Sequence, residues 1–236
     1  CICCSFGNDL IGAIEDLRSV EPAPDHIVVE TSGVALPGSV VASLSLIEGI
    51  RPDGIVVLVD AETVVKQARD DYIGDTITRQ LSDAEIVVIN KRDLISDSAA
   101  QSLALTLSDL APNAAQIEAA FGTVSLDAVL GAVAQPSSGG TDSGGHSDSL
   151  FDSIAFTPQR RFNAPALAEQ LATGALGVVR AKGHVAGDDG AIWLLQTVGR
   201  RWQAEPVDHQ PHPQLVCIGP KGQLRTSDIE ALVQAD

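Results

Sequence analysis

Asn90-Lys91-Arg92-Asp93 is the stretch with the most specific chemistry in this sequence. An aspartate at the fourth place of N-K-x-D accepts two parallel hydrogen bonds, one from the ring N–H of guanine and one from its exocyclic amine. Adenine lacks that pair of donors, and a site that buries the carboxylate unpaired rejects it by roughly 10⁴–10⁵. In this reading Asn90 holds the loop and reaches the base edge, while the Lys91 stem lies across the base face. The plain alternative is a strand followed by an ordinary polar turn. A second candidate is Glu30-Thr31-Ser32-Gly33, at the end of the apolar run His26-Ile-Val-Val. An acid there suits a magnesium-bound water or an attacking water, and the glycine lets a backbone N–H approach a terminal phosphate. Its alternative is a strand-end carboxylate capping the next turn. The third is Cys1-Ile2-Cys3-Cys4, three soft ligands on what the spacing suggests is a short loop. Thiolates at this density favour zinc, or cobalt or copper(I), with a fourth ligand from elsewhere. Reduced surface thiols or a redox pair are the competing reading.

These residues need elements to carry them. Glu85-Ile-Val-Val-Ile-Asn90 reads as buried strand, as do His26–Glu30 and Gly54–Asp60. Helices are expected after Asn8 or Asp9 as N-cap, from Pro37 to Ile47, within Asp70–Asp83, from Asp97 to Leu110 and from Ser125 to Val133, with a short strand at Ala115–Ala119. Alternating strand and helix predict a parallel sheet with helices on both faces. Asp60 is expected to cap the helix beginning at Ala61 rather than touch a ligand, and Gln80 to be an exposed helix residue or a sensor of nucleotide state.

Residues 135–150, rich in Gly, Ser and Asp, read as a flexible linker, with His146 solvated in it. From Phe151 the pattern turns to short strands with helices near Ala164–Thr173 and Thr226–Gln234, which suits a small α+β layer. Cys217 and the pair Trp193 and Trp202 are expected in its core, and His209 and His212 in a plain loop. Arg180 and Lys182 face a partner, the first domain or solvent.

With 236 residues, 44% of them apolar, and positive mean hydropathy, the chain can bury a core of one or two domains. A net charge of −16 argues against nucleic acid and anionic membranes, which need clustered Lys and Arg. No apolar run approaches the ~18–20 residues of a membrane span. Clustered thiols without a disulfide framework suit a cytoplasmic protein.

Taken in order, Cys-Ile-Cys-Cys, Val-Val-Glu-Thr-Ser-Gly-Val-Ala-Leu-Pro, Val-Leu-Val-Asp-Ala and Val-Ile-Asn-Lys-Arg-Asp-Leu resemble the CobW family of metallochaperone GTPases, relatives of UreG and HypB. The resemblance implies an α/β fold: a P-loop NTPase-type parallel sheet at 1–134, a linker at 135–150 and an α+β C-terminal domain at 151–236. It implies GTP, Mg²⁺ and Zn²⁺ as cofactors, with cobalt the other metal, and a client metalloprotein or cobalamin-pathway enzyme as partner. By resemblance Cys1, Cys3 and Cys4 hold the metal and Glu30 serves the switch and magnesium site. Thr31 and Gly33 belong to the nucleotide site with Asn90, Lys91 and Asp93. Family members also carry a strand and a G-x-x-G-x-G-K-T phosphate loop, and residues 1–236 contain no such segment and no methionine. The expectation is therefore an amino-terminally truncated chain, inactive as a GTPase by itself. A non-hydrolytic metal-binding or partner-docking module is the alternative.

Overall fold

The computed structural model describes residues 2–130, 151–208 and 211–234, with side chains from residue 10 onward. Helices α1 (Ile2–Arg18) and α2 (Pro37–Leu44) precede a three-stranded parallel sheet of β1 (Val56–Asp60), β2 (Ile86–Asn90) and β3 (Ala115–Glu118), in that order. Parallel neighbours need crossovers. Helices α3 (Val64–Ala68) and α4 (Gly74–Asp83) join β1 to β2, and α5 (Asp97–Leu110) joins β2 to β3. The α5 bounds are those the sequence predicts, because Ser96 caps the helix by accepting the Ala99 N–H. A short helix α6 (Leu126–Leu130) closes this part.

The second sheet is built from β4 (Phe151–Phe156), β5 (Arg161–Phe162), β6 (Arg180–Gly187), β7 (Ile192–Val198), β8 (Arg201–Val207) and β9 (Gln214–Pro220). Its order is β4-β9-β6-β7-β8 with antiparallel pairing, and β5 adds to β6 in parallel. Helices α7 (Ala164–Ala172) and α8 (Thr226–Gln234) bury Leu167, Leu171, Ile229 and Val233 against Leu195, Leu215 and Cys217 on one face. Burial pushes the Cys217 thiol up to about 12, so it is an inert core residue. Trp193 packs against the same core, whereas Trp202 stays partly exposed. Among the described residues no helix is long and apolar enough to cross a membrane.

Strand β2 explains how the two sheets meet. Val87 and Ile89 point at Leu81, Leu103 and Leu107 of α4 and α5. Ile86 and Val88 point the other way, into a core shared with Phe151, Val179, Val198, Val216 and Ile218. A strand buried on both faces must read as a continuous apolar run, which is why its sequence was legible. Helices lie on both faces, but unequally: α4 and α5 cover one, and on the other the short α6, through Ala128, shares the face with the second sheet.

Three further expectations change. His26–Glu30 is not a strand: no ladder among the described residues holds it, and Val28 is 74% exposed. β-branched residues form strands only where a neighbour accepts their backbone groups. Gly54–Asp60 shortens to β1 and is only half buried, since β1 is the edge of the described sheet and Leu58, beside Val88 on the face the second sheet packs against, is 64% exposed because that sheet does not extend over β1. The cysteine stretch is helical rather than a loop. α1 takes in Cys3 and Cys4, in keeping with the apolar residues Ile2, Phe6, Leu10 and Ile14 that recur every fourth place along this stretch of sequence. The proposed linker at 135–150, His146 and His209 lie outside the described residues.

Polar groups are buried where the sheets meet. Arg180 of β6 is 2% exposed, and its guanidinium pairs with Asp53 and donates to the Val129 carbonyl at 2.9 Å. Glu85, just before β2, accepts from the Ile55 N–H at 3.3 Å and pairs with Arg201 of β8 at 2.7 Å. Gly199, at a left-handed φ of 56° in the β7–β8 turn, lies so close that a Cβ there would meet the Glu85 carbonyl at 2.4 Å. The sequence left Arg180 open between a partner, the first domain and solvent; it faces the first sheet's side.

Burial raises the Glu85 carboxyl above its ordinary value, against the opposing pull of Arg201 and Arg180. A carboxyl raised in the folded state binds its proton more tightly there than in the unfolded chain. Its contribution is therefore most favourable below the unfolded pKa and is lost as pH rises through the folded one. Glu85→Gln keeps an acceptor for Ile55 without the charge. The stability of wild type minus that of Glu85→Gln is expected to decline as pH rises from about 4, measured by urea denaturation at several pH values. A difference that grows with pH would reverse the sign.

Candidate functional site

The turn after β2 sits at the carboxyl end of the parallel strands, where open α/β sheets bind ligands. Asn90 Oδ1 accepts the Gly122 N–H at 2.9 Å, tying the turn to the loop after β3. Lys91 adopts a left-handed φ of 60°, and its Nζ lies 2.7 Å from Asp60 Oδ2 at the end of β1. The other Asp60 oxygen accepts the Glu62 N–H at 2.9 Å within the turn 61–63; the helix expected to begin at Ala61 under an Asp60 cap begins instead at Val64, with Thr63 at its N-cap. The Lys91 ammonium, then the Glu62 N–H, hold the Asp60 carboxyl below the usual range, and Asp60 in turn raises Lys91. The Lys91 stem is thereby fixed between two strand ends.

Arg92, the variable place of the motif, staples the turn from behind. It pairs with Asp97 at the start of α5, and its Nη1 donates to the Ile95 carbonyl at 3.1 Å. Its Nε lies 3.2 Å from Glu118 Oε1, an ion contact whose angle falls short of a hydrogen bond. Its backbone N–H donates to the Ala119 carbonyl at 3.0 Å. Asp93 follows in a single 3-10 turn, Arg92–Leu94, exposed and with no partner for its carboxylate among the described residues. The neighbours are held and the Asp93 carboxylate is left free among the described residues.

Glu30, Thr31 and Gly33 occupy an irregular segment fixed by α4. Gln80 Nε2 donates to the Gly33 carbonyl at 2.9 Å and to the Ala35 carbonyl at 2.8 Å, and Asp83 accepts the Gly38 N–H at 3.0 Å. Gln80 is thus neither free in solvent nor in contact with the N-K-R-D turn; it clamps the chain after Glu30. The signal lay in the spacing of Gln80 and Asp83, one helical turn apart on α4. Among the described residues no hydrogen bond or ion pair joins Glu30 to Asn90–Asp93.

The side chains of Cys1, Cys3 and Cys4 lie outside the described residues, and elsewhere among the described ones no three His, Cys, Asp or Glu groups could hold a metal ion. His212 lies in a loop before β9, as expected.

Comparison with known proteins places this geometry in a family. The model of the CobW/HypB/UreG nucleotide-binding domain matches residues 1–118, and that of the cobalamin synthesis protein CobW C-terminal domain matches 151–235. The zinc chaperone CobW of a Sinorhizobium species is 30% identical over 154 residues, covering 56% of this chain and 44% of its own length. The zinc-regulated GTPase metalloprotein activator 1 of Schizosaccharomyces pombe is 30% identical over 126 residues, covering 52% and 30%. The chain thus spans less than half the length of these relatives. Among solved structures, the Zn(II)-bound YjiA GTPase of E. coli aligns over 95% of this chain and 74% of its own, at 22% identity and a TM-score of 0.42. With one family model on each side of residues 119–150, and the N-K-R-D turn inside the first, the chain belongs to the CobW/HypB/UreG family and carries the CobW C-terminal domain.

Proposed function

We propose that this chain is the guanine-reading part of a GTP-dependent zinc chaperone. The carrying observation is the N-K-R-D turn, in which Asn90, Lys91 and Arg92 are each tied to a neighbouring element while the Asp93 carboxylate is exposed and unpartnered. Such an arrangement spends little further ordering on binding a base. The residues present fit the guanine moiety. Thr31, Gly33 and Glu30 are assigned to the phosphate side, with Glu30 the candidate for the magnesium site or an attacking water. Base recognition is the step assigned to Asn90, Lys91 and Asp93.

Zinc is the proposed cargo, with Cys1, Cys3 and Cys4 as ligands and a fourth position open. Three thiolates with an exchangeable fourth position release metal more readily than a closed four-cysteine site. Cobalt is the second candidate on ligand softness, and a metalloprotein client the proposed recipient. The relatives named for zinc support the first choice.

One sample tests both halves. The chain is expected to bind guanosine monophosphate in preference to adenosine monophosphate by NMR titration, and about one zinc by competition with a chromophoric chelator. Cys3→Ser should abolish the zinc and leave the nucleotide preference intact. Equal binding of both nucleotides removes the guanine reading; undiminished zinc in Cys3→Ser removes the cluster.

A further inference from the structure

Phe121 is a bulky residue in a conformation that bulky residues avoid. Its φ is 53°, in the left-handed region, and its side chain is 91% exposed. Folding alone gains nothing from this: the ring buries almost no surface, and the backbone carries strain of the kind that collects at functional sites.

Its position is fixed from both sides. Two residues before it, the Ala119 carbonyl accepts the Arg92 N–H at 3.0 Å; one residue after it, the Gly122 N–H donates to Asn90 Oδ1 at 2.9 Å. Residues 119–122 are thus bonded at both ends to the turn that presents Asp93. Phe121 is the residue held out between the two anchors. An aromatic face there is what a base needs once its edge has been paired, because edge contacts leave the ring faces of a purine to be covered and the Lys91 stem covers only one of them.

We infer that Phe121 supplies an aromatic stacking face for the purine whose edge Asp93 reads. This rests on the guanine reading above and divides its labour: Asp93 selects the base, and Phe121 adds affinity without selecting it. Stacking on an aromatic ring is tolerant of base identity.

The test uses the full chain with guanosine and adenosine monophosphates, affinities taken from NMR titration and stability from thermal unfolding. Phe121→Ala is expected to weaken both nucleotides by a similar factor, roughly five- to a hundredfold, with their ratio unchanged, and Phe121→Trp to restore binding. Phe121→Gly is the decisive variant. It relieves the left-handed strain, so its melting temperature should equal or exceed that of wild type while its binding falls with that of Phe121→Ala. Wild-type affinity in Phe121→Gly overturns the inference and leaves the guanine reading standing, as does a loss confined to one of the two bases. Wild type that binds neither nucleotide overturns both.

Discussion

In Asp93→Asn the preference for guanosine over adenosine monophosphate is expected to collapse, and xanthosine monophosphate to become the favoured ligand. The carboxylate accepts from two donors of guanine. Asparagine offers one acceptor and one donor, which match the ring N–H and the C2 carbonyl of xanthine. Each charge-assisted hydrogen bond lost is worth about 1.5–3 kcal/mol. The Asp93 carboxylate is exposed before binding and regains water when unpaired, so the lower end applies to each. Two such bonds give a change in relative affinity of roughly 10²-fold or more. The fold should not notice, since Asp93 supports none of the contacts that hold the turn; Arg92, Lys91 and Asn90 do that. Titration of the three monophosphates against wild type and variant reads the result, and an unchanged order of preference would show that Asp93 does not touch the base.

Asp53→Ala is the substitution expected to cost the most stability. It leaves the Arg180 guanidinium, 2% exposed, without its counter-charge between the two sheets. Breaking a buried pair in this way costs roughly 3–5 kcal/mol. Arg180→Ala should cost less in its charge component, because the carboxylate left behind is 31% exposed and water reaches it. It also forfeits the bond to the Val129 carbonyl and leaves a cavity. The distinguishing variant is Asp53→Ala with Arg180→Met, which removes both charges and keeps most of the volume; it should recover much of the loss. Urea midpoints of the four proteins decide the matter. If the double variant is as unstable as Asp53→Ala, the loss comes from packing and not from a stranded charge.

Two of the residues tested by substitution, Asp93 and Glu85, flank one strand. Asp93 follows β2, Glu85 precedes it, and its two faces join the helices to the second sheet. The Asn90–Asp93 turn therefore stands on the most deeply packed element of the first sheet, which explains why Asn90, Lys91 and Arg92 can be held in place while the Asp93 carboxylate stays in solvent. Rigid support beneath an exposed reading group is the arrangement that precise recognition needs.

The sequence by itself determined what depends on neighbours along the chain. The unbroken apolar run of β2, the helix α5 over Asp97–Leu110, the polar turn at Asn90–Asp93 and the change to closely spaced strands after Phe151 are all local, and each appears where it was expected. Tertiary structure decided whatever depended on a partner distant in sequence. His26–Glu30 has the composition of a strand, yet a strand exists only with a neighbour to accept its hydrogen bonds, and none of the described residues supplies one. Gly54–Asp60 read as buried, but β1 lies at an edge that the second sheet does not cover. Arg180 could be placed only once β6 was seen to lie against the first sheet, 127 residues from Asp53 in sequence. Phe121 carries no signal in the sequence, and only the backbone bonds that carry its loop across to Asn90 and Arg92 set it beside the site.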